Sequence, residues 1–353
     1  MNRRFWQGKR VFLTGHTGFK GSWLALWLGD MGAEVHGFAL SAPTEPNLFT
    51  VCSIRGQLKS STIADIRDVA ALTQAMQAAQ PQIVLHLAAQ SLVRYSYIAP
   101  VDTYAVNVMG TVNILEAARR MPGVQAIVNV TTDKCYENRE WVWPYRENEA
   151  MGGYDPYSSS KGCSELVTAA YRRSFLGPMG VQVASARAGN VIGGGDWAAE
   201  RLIPDFMRAL DSGQTLTVRS PSATRPWQHV LEPLAGYLML AERLCTDGED
   251  FADAWNFGPE EADVKPVQWI VEHLCRLAPG SAWRCDDGHQ PHEAHYLALD
   301  NSKAKFKLGW RPRWSLQTAL DHTLAWHRAW QRGSNMVAKS LAQILEYEAA
   351  GQT

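Results

Sequence analysis

The chain has 353 residues, of which 46% are hydrophobic, so it can form a large core and two lobes on one continuous chain. Its formal net charge is -1 and it has no polybasic run, which argues against nucleic acid and membranes as partners. Its six cysteines form no CxxC pair and no cluster with histidine, so we expect a reducing compartment and no metal site. We identify neither a signal peptide nor a transmembrane stretch, and we therefore expect a cytoplasmic protein.

The first unit of the chain is a short buried strand at residues 10–14, a glycine-rich loop, and an apolar helix that includes Trp23 and Trp27. The loop has the spacing GxxGxxG, whose glycines allow a tight turn, close approach of the backbone to a pyrophosphate, and packing of the helix on the strand. These flanking elements favour a dinucleotide site over an ordinary glycine turn. The loop residues expected to contact the cofactor are Gly15, Thr17, Gly18, Phe19 and Lys20.

The second predicted strand, residues 35–40, ends without the acidic residue that often binds the adenosine ribose of NAD. Leu40-Ser41-Ala42 occupies that place, and no arginine able to hold the 2′-phosphate of NADP occurs before Arg55. We therefore favour NAD, and we expect it to be retained weakly. After a third strand, Asp65 and Ile66 could lie beside the adenine; alternatively, Asp65 simply caps the next helix.

A near-continuous apolar run at residues 83–89 is typical of a central parallel strand that is covered on both faces. We interpret His86, within this run, as a buried core histidine rather than a catalytic base. Small side chains at the end of the run would let a cofactor lie against the backbone. The cofactor residues predicted here are Leu87, Ala88 and Ala89.

Tyr157 and Lys161 lie four residues apart on a predicted helix, so their side chains share one face. The Lys161 ammonium would favour the phenolate and lower the pKa of Tyr157, which would make Tyr157 a usable base. Asp155 and Pro156 are a plausible N-cap and first helical residue, which places the pair near the strand ends where ligands bind. Thr132, at the end of the preceding strand, could hydrogen-bond the same substrate oxygen. Without this context, such a pair would usually be a solvated helix face.

Strands and helices alternate as far as a predicted strand at residues 181–186, and the alternation ends near Arg187. This pattern predicts an α/β fold with a Rossmann-type, doubly wound parallel sheet and a smaller C-terminal substrate lobe. We assign residues 1–187 to the NAD-binding domain, rejoined by a later segment at about 225–260. Residues 188–353 are assigned mainly to the substrate-binding lobe.

Taken together, the motifs resemble the extended short-chain dehydrogenase/reductase family over nearly the whole chain. The resemblance rests on Gly15-x-x-Gly18-x-x-Gly21, His86-Leu87-Ala88-Ala89, Asn107, Thr132 and Tyr157-x-x-x-Lys161. Within the family, four further segments resemble the sugar-nucleotide 4,6-dehydratases that act on CDP-glucose. These segments are the GHTGFKGSW opening, Thr132-Asp133-Lys134, residues 190–196 and residues 225–230. The resemblance implies NAD as cofactor, with Asn107 at its site, and CDP-glucose as substrate.

The resemblance also implies a hydro-lyase that forms CDP-4-keto-6-deoxyglucose and is redox-neutral overall. Tyr157 would take the proton of the 4-hydroxyl while NAD accepts the C4 hydride, and the hydride would later return to C6. Asp133 would be the general acid for loss of water from C6, which requires a pKa raised by burial; otherwise it is a strand-end residue bonded to turn amides.

Lys134 occupies the position at which related dTDP-glucose dehydratases carry glutamate. As a neutral amine it could remove the C5 proton, and as a cation it could stabilise the developing enolate. A plain solvated lysine is the remaining interpretation. All three stay open at this point.

The substrate diphosphate needs local cations, and Arg225 is the first candidate because a guanidinium binds phosphate bidentately. The resemblance adds Asn190 near the diphosphate, with Arg201 and Leu202 beside the nucleotide. His292 could border the phosphate or the base, or be an exposed loop histidine.

Two other functions are considered. A sugar-nucleotide 4-epimerase needs Thr132, Tyr157 and Lys161 but has no use for Asp133 and Lys134. A non-catalytic dinucleotide-binding protein would keep the fold without turnover.

Family membership further implies a homo-oligomer, a dimer or a tetramer, that pairs through the helices following Pro100 and Pro156. It also implies a role in 3,6-dideoxyhexose synthesis for the lipopolysaccharide O-antigen.

Overall fold

The computed structural model describes residues 1–286, 288 and 296–351, and a parallel sheet lies at its centre. Among the described residues the strands are β1 (Arg10–Thr14), β2 (Glu34–Ala39), β3 (Ser60–Ile63), β4 (Ile83–His86), β5 (Ala126–Val130), β6 (Gln182–Ala188), β7 (Val191–Ile192), β8 (Leu216–Val218), β9 (Thr224–Arg225), β10 (Gln228–His229), β11 (Ala254–Phe257), β12 (Lys265–Pro266) and β13 (Trp283–Cys285). The described part of the central sheet has seven strands in the order β11-β6-β5-β4-β1-β2-β3. All its neighbouring strands run parallel, which confirms the predicted Rossmann-type fold.

The helices cover both faces of this sheet. Within the described residues they are α1 (Arg3–Trp6), α2 (Phe19–Asp30), α3 (Leu48–Val51), α4 (Val69–Ala79), α5 (Val93–Ile98), α6 (Pro100–Tyr104), α7 (Gly110–Arg119), α8 (Pro156–Tyr171), α9 (Leu202–Ser212), α10 (Leu231–Thr246), α11 (Val267–Leu277), α12 (Leu316–Gln331) and α13 (Met336–Ala349). A π-helical segment, Ala105–Met109, joins α6 to α7, so the helix predicted to begin at Pro100 is continuous but locally widened.

Side chains that alternate along the strands build two separate cores. On β5, Val128 packs with α2 and α10, whereas its neighbour Ile127 packs with α4 and α7. This alternation follows from the two-residue period of a strand, and burial on both faces explains why β5 is apolar throughout.

The segment after β6 builds a smaller lobe around its own apolar cluster. The cluster unites α9, α11 and α12, with Phe206, Ile270 and Leu320 fully buried in it. Three two-stranded sheets accompany these helices, and they pair β7 with β10, β8 with β13, and β9 with β12. One later strand, β11, does not belong to this lobe but joins β6 at the edge of the central sheet.

The central strand β4 ends at His86, so the prediction that residues 83–89 form one strand is wrong at its C-terminal end. The Leu87 amide is shared between the Thr14 carbonyl at 3.3 Å and the Thr14 hydroxyl at 3.1 Å, and the Ala88 amide donates to the hydroxyl at 3.1 Å, so side-chain hydrogen bonds replace the ladder here. His86 is buried, and its Nδ1 lies 2.7 Å from the same hydroxyl, consistent with a structural histidine.

None of the helices in residues 1–286 and 296–351 combines the length and the apolar character that are needed to cross a lipid bilayer.

Candidate active site

The glycine loop joins β1 to α2, and two of its glycines are required for different reasons. Gly15 has a φ of +76°, and a Cβ there would lie 2.9 Å from the amide nitrogen of Ala88. A Cβ on Gly21 would lie 2.0 Å from the Gly15 carbonyl oxygen, because the first turn of α2 packs directly on the loop. The loop therefore places the N-terminus of α2, which attracts phosphate, beside the ends of β1 and β4.

The other predicted cofactor residues surround this loop. Thr17 is buried and its hydroxyl donates to the Leu40 carbonyl at 2.8 Å. Asn107 receives the Gln90 amide on its Oδ1 at 2.9 Å and donates to the Gln90 carbonyl at 2.9 Å. It also donates to the Ser160 hydroxyl at 2.9 Å, so its amide connects the segment after β4 to α8. Any contribution of Asn107 to a cofactor site would thus be to hold that segment in place.

Asp65 does not cap the helix that follows it, so the capping alternative is wrong. The N-cap of α4 is Asp68, which accepts from the Ala71 amide at 3.0 Å. Asp65 instead pairs with Arg67 at 2.6 Å, and this hydrogen bond holds the pKa of the carboxyl below its ordinary value. The neighbouring Ile66 is buried. A contact of Asp65 with adenine remains a prediction.

The reaction centre lies where β5 ends and α8 begins. Asp155 caps α8 by accepting from the Ser158 amide at 2.9 Å, and Pro156 is the first helical residue, as predicted. Tyr157 is therefore in the first turn and is buried, with its phenol close enough to Thr132 for that residue to affect its pKa. Lys161 is buried one turn later.

The prediction that the pKa of Tyr157 is lowered is wrong for the protein alone. Burial raises that pKa to about 12, although Thr132 works in the other direction. Lys161 donates to the Val130 carbonyl at 3.2 Å, and its own pKa falls to about 8 because of burial, against the attraction of Glu165. The pKa shifts of Tyr157 and Lys161 thus both favour the neutral form of the side chain.

Asp133 has the environment that a general acid requires. Its carboxyl is buried; one oxygen accepts from the Thr132 hydroxyl at 3.0 Å, and the other has no partner among the described residues. Burial raises the pKa of Asp133, while Lys134, Thr132 and more distant cations oppose the rise. Lys134 is half-buried beside it in the same short turn, Asp133–Cys135, and both catalytic interpretations of Lys134 stay open.

The glycine-loop residue Lys20 lies close enough to this centre to interact electrostatically with Asp133 and Lys161. Burial lowers its pKa to about 8, and nearby Arg201 and Lys161 add to this effect. Arg201 itself, immediately before α9, binds Asp196 at 2.9 Å and the Ser91 hydroxyl at 3.1 Å. Cations from three distant parts of the chain therefore meet at the reaction centre.

The remaining predicted substrate residues are placed as follows. Arg225 is buried in the short strand β9 rather than in a loop, and it interacts electrostatically with Asp133. Asn190 and Leu202 are half-buried, the former after β6 and the latter at the start of α9. His292 lies outside the described residues.

Two features of this region escaped sequence reasoning. Asp196 belongs to a segment that carries the family resemblance, yet its pairing with Arg201 becomes visible only in three dimensions. Glu165 lies four residues after Lys161 on the same face of α8 and forms a buried ion pair with Arg187 at 2.8 Å. The continued i, i+4 spacing from Tyr157 is a signal that could have identified Glu165.

The lining of a cavity of about 620 Å³ includes Glu165 and Arg187 but none of the predicted catalytic residues. Charged side chains of both signs line it, and many of them are paired, such as Arg146 with Asp300 at 3.0 Å. Since its lining includes none of the predicted site residues, we do not assign the active site to it.

The fold and the Tyr157–Lys161 pair are those of an extended short-chain dehydrogenase/reductase, as the resemblance implied. The chain belongs to the GDP-mannose 4,6-dehydratase family, because a sequence model of that family matches residues 12–323. It is 54% identical to the CDP-glucose 4,6-dehydratase of Salmonella typhimurium over 99% of each chain.

Two solved structures show how widely this fold is used. A dTDP-glucose 4,6-dehydratase from Bacillus anthracis, solved in complex with NAD, has a TM-score of 0.76 and 22% identity over 94% of this chain and 100% of that chain. A UDP-glucose 4-epimerase from Thermotoga maritima, solved with UDP-glucose, has a TM-score of 0.76 and 22% identity over 91% and 99%. The fold is therefore shared by dehydratases and epimerases, and the reaction has to be argued from the site.

Replacement of Gly21 by alanine tests the close packing of the glycine loop. Since the new methyl group would overlap the Gly15 carbonyl, we expect Gly21→Ala to destabilise the protein by about 1–3 kcal/mol and to weaken NAD binding about tenfold. Thermal unfolding and calorimetric titration with NAD measure both effects. Gly56→Ala is the matched control, because nothing lies within 4 Å of a Cβ there. Equal NAD affinity in the two variants would contradict the assignment.

Proposed function

We propose that this protein dehydrates CDP-glucose to CDP-4-keto-6-deoxyglucose, with NAD as its cofactor. The observation that carries the proposal is the buried Asp133 carboxyl beside Thr132, since one of its oxygens has no partner among the described residues. An epimerase has no use for an acid at this point, whereas elimination of water requires one. The 54% identity to a CDP-glucose 4,6-dehydratase supports the choice of substrate.

The residues around the glycine loop fit a dinucleotide. The loop leaves no room for a Cβ at Gly15 or Gly21, and the α2 N-terminus that follows suits a pyrophosphate. Thr17, Phe19 and Lys20 would hold the cofactor together with the segment from Leu87 to Ala89. When bound, NAD⁺ supplies the hydride acceptor and a positive charge that opposes the cost of forming a buried phenolate.

Tyr157 would remove the proton of the sugar 4-hydroxyl. It would do so as the phenolate, and because burial raises its pKa, nearby positive charge is needed to form that phenolate. The Thr132 hydroxyl, close to the phenol, would orient the same substrate oxygen. The Lys161 ammonium, one helical turn away, would stabilise the phenolate before it takes up the proton.

Asp133 would donate its proton to the C6 hydroxyl, which then leaves as water. Its raised pKa keeps the carboxyl protonated over a wider pH range, and the acid is lost as pH rises through that value. Lys134 would act at C5, either by taking the proton as a neutral amine or by stabilising the enolate as a cation.

The diphosphate of the substrate would be bound by the cations that meet at this centre. Arg225 and Arg201 are partly or fully buried, and both interact with catalytic residues electrostatically. Guanidinium groups bind phosphate oxygens in pairs, which favours arginine over lysine here. Asn190 and Leu202 would border the same nucleotide.

The chain is also proposed to form a homo-oligomer through α5, α6 and α8. Exposed apolar side chains are concentrated there: Ile98 is 81% exposed, Val101 82% and Leu166 60%. Exposed apolar side chains on neighbouring helices are typical of a surface that binds another protein. All six cysteines are free thiols, which supports a cytoplasmic setting. The proposed biological role is synthesis of dideoxyhexoses for the lipopolysaccharide O-antigen.

Mass spectrometry of CDP-glucose, UDP-glucose and dTDP-glucose after incubation with the purified protein tests the reaction and the substrate together. We expect loss of one water from CDP-glucose only, and a faster reaction with added NAD, because no acidic residue follows β2 to bind the ribose. Unchanged masses with chromatographic evidence of isomerisation would instead identify an epimerase.

Asp133→Asn separates the dehydratase from the epimerase. The amide cannot donate a proton as an acid, so we expect the rate of dehydration to fall about 10²–10⁴-fold while transient NADH absorbance still appears. In the wild-type protein the elimination rate should fall at alkaline pH, because Asp133 loses its proton. In Asp133→Asn this fall should be absent. Tyr157→Phe is the companion variant, and it should abolish the NADH signal itself. Full dehydration by Asp133→Asn would refute the role of this residue.

Val101→Glu combined with Leu166→Glu tests the oligomer. Charges placed on the exposed apolar face should prevent its burial, so light scattering coupled to size exclusion should report a monomer in place of a dimer or tetramer. Phe306→Glu is the control, because this residue is 91% exposed but lies in the segment Ala304–Leu308, outside α5, α6 and α8. A monomeric wild-type protein would contradict the proposal.

A further inference from the structure

The ion pair of Glu165 with Arg187 lies next to the catalytic turn, yet neither residue has a role in the proposed reaction. Both side chains are only 4% exposed, and the guanidinium Nη2 donates to the carboxylate Oε2 at 2.8 Å. The loss of solvation makes a buried ion pair a weak source of stability. The contacts of this pair indicate a different purpose.

Glu165 is connected to the beginning of the catalytic turn. The hydroxyl of Thr131, the residue just before Thr132, donates to Oε1 of Glu165. The other carboxylate oxygen accepts from the Ser185 hydroxyl on β6 at 2.5 Å. Thr131 is buried, so this hydrogen bond is shielded from water.

Arg187 is connected to the end of the same turn. Its Nη1 donates to the hydroxyl of Tyr136 at 2.7 Å and to the Glu147 carbonyl at 3.0 Å. The guanidinium also lies 5.0 Å from the centre of the Tyr136 ring. The Tyr136 hydroxyl in turn donates to Asn256 on β11 at 2.7 Å. Tyr136 directly follows the turn Asp133–Cys135.

We propose that the Glu165–Arg187 pair positions the catalytic turn by hydrogen-bonding the residues at both of its ends. Between Thr131 and Tyr136 lie Thr132, Asp133 and Lys134, which act in the proposed reaction. Glu165 lies on α8 together with Tyr157, the proposed base. The Glu165–Arg187 pair therefore also fixes the position of the turn relative to Tyr157. Oxidation at C4 uses Tyr157 on α8 together with Thr132 at the start of the segment, whereas elimination needs Asp133, farther along it, at the right distance from C6. This inference rests on the proposed function.

Thr131→Val and Tyr136→Phe test the inference without breaking the ion pair. Each removes one hydroxyl that connects the turn to the pair and retains the shape of the side chain. We expect the elimination step to slow about tenfold in each variant, while the formation of NADH in a single turnover stays within about twofold. Stopped-flow absorbance of NADH, combined with quenched-flow mass spectrometry of the sugar nucleotide, follows the two steps separately.

Ser185→Ala is the matched control, because it removes a hydrogen bond to the same carboxylate from β6 rather than from the turn. We expect it to leave the ratio of the two rates at the wild-type value. Equal slowing of both steps in Thr131→Val and Tyr136→Phe, or no change in either step, would overturn the positioning role. Absence of dehydration by the wild-type protein would instead refute the proposed function, so the two failures can be distinguished.

Discussion

The active site depends on one constraint, the exclusion of solvent from the C-terminal end of β5. Burial displaces the pKa of Tyr157 and Asp133 upward and that of Lys161 and Lys20 downward. All four groups are therefore displaced toward their neutral forms before any substrate binds. The pKa of Asp133 is shifted toward those of the two lysines, whereas the pKa of Tyr157 moves away from them, so formation of the phenolate depends on additional positive charge at the site.

A few ångströms away, the same burial has the opposite result because the charges are paired. Burial alone would raise the pKa of Glu165, but Arg187 and the hydroxyls around it hold that pKa below its ordinary value. The pKa of Arg187 is correspondingly raised, chiefly by Glu165 acting against desolvation. The region thus contains two kinds of ionisable group. Tyr157, Asp133, Lys161 and Lys20 can change their protonation, whereas the Glu165–Arg187 pair stays charged and keeps its geometry.

Local features of this architecture could be predicted from the sequence, and features that depend on distant contacts could not. The strand at residues 10–14 and the Asp155 cap of α8 were predicted correctly, because apolar runs and capping residues act over a few positions. The end of β4 was not, since it is set by the hydroxyl of Thr14 on a neighbouring strand. The direction of the Tyr157 pKa also escaped prediction, because helical spacing reveals a nearby lysine but not the extent of burial.

The strand β11, the last strand of the central sheet along the chain, has a consequence for folding during synthesis. Because β11 pairs with β6, the outer edge of β6 has no hydrogen-bonding neighbour until Ala254–Phe257 has left the ribosome. The same strand carries Asn256, which hydrogen-bonds Tyr136 across 120 residues of sequence. A nascent chain therefore exposes a bare sheet edge, open to pairing with other chains, while the C-terminal lobe is still being translated. Pairing of β11 with β6 covers this edge, and it also brings Asn256 to Tyr136, the residue that follows the turn carrying Asp133.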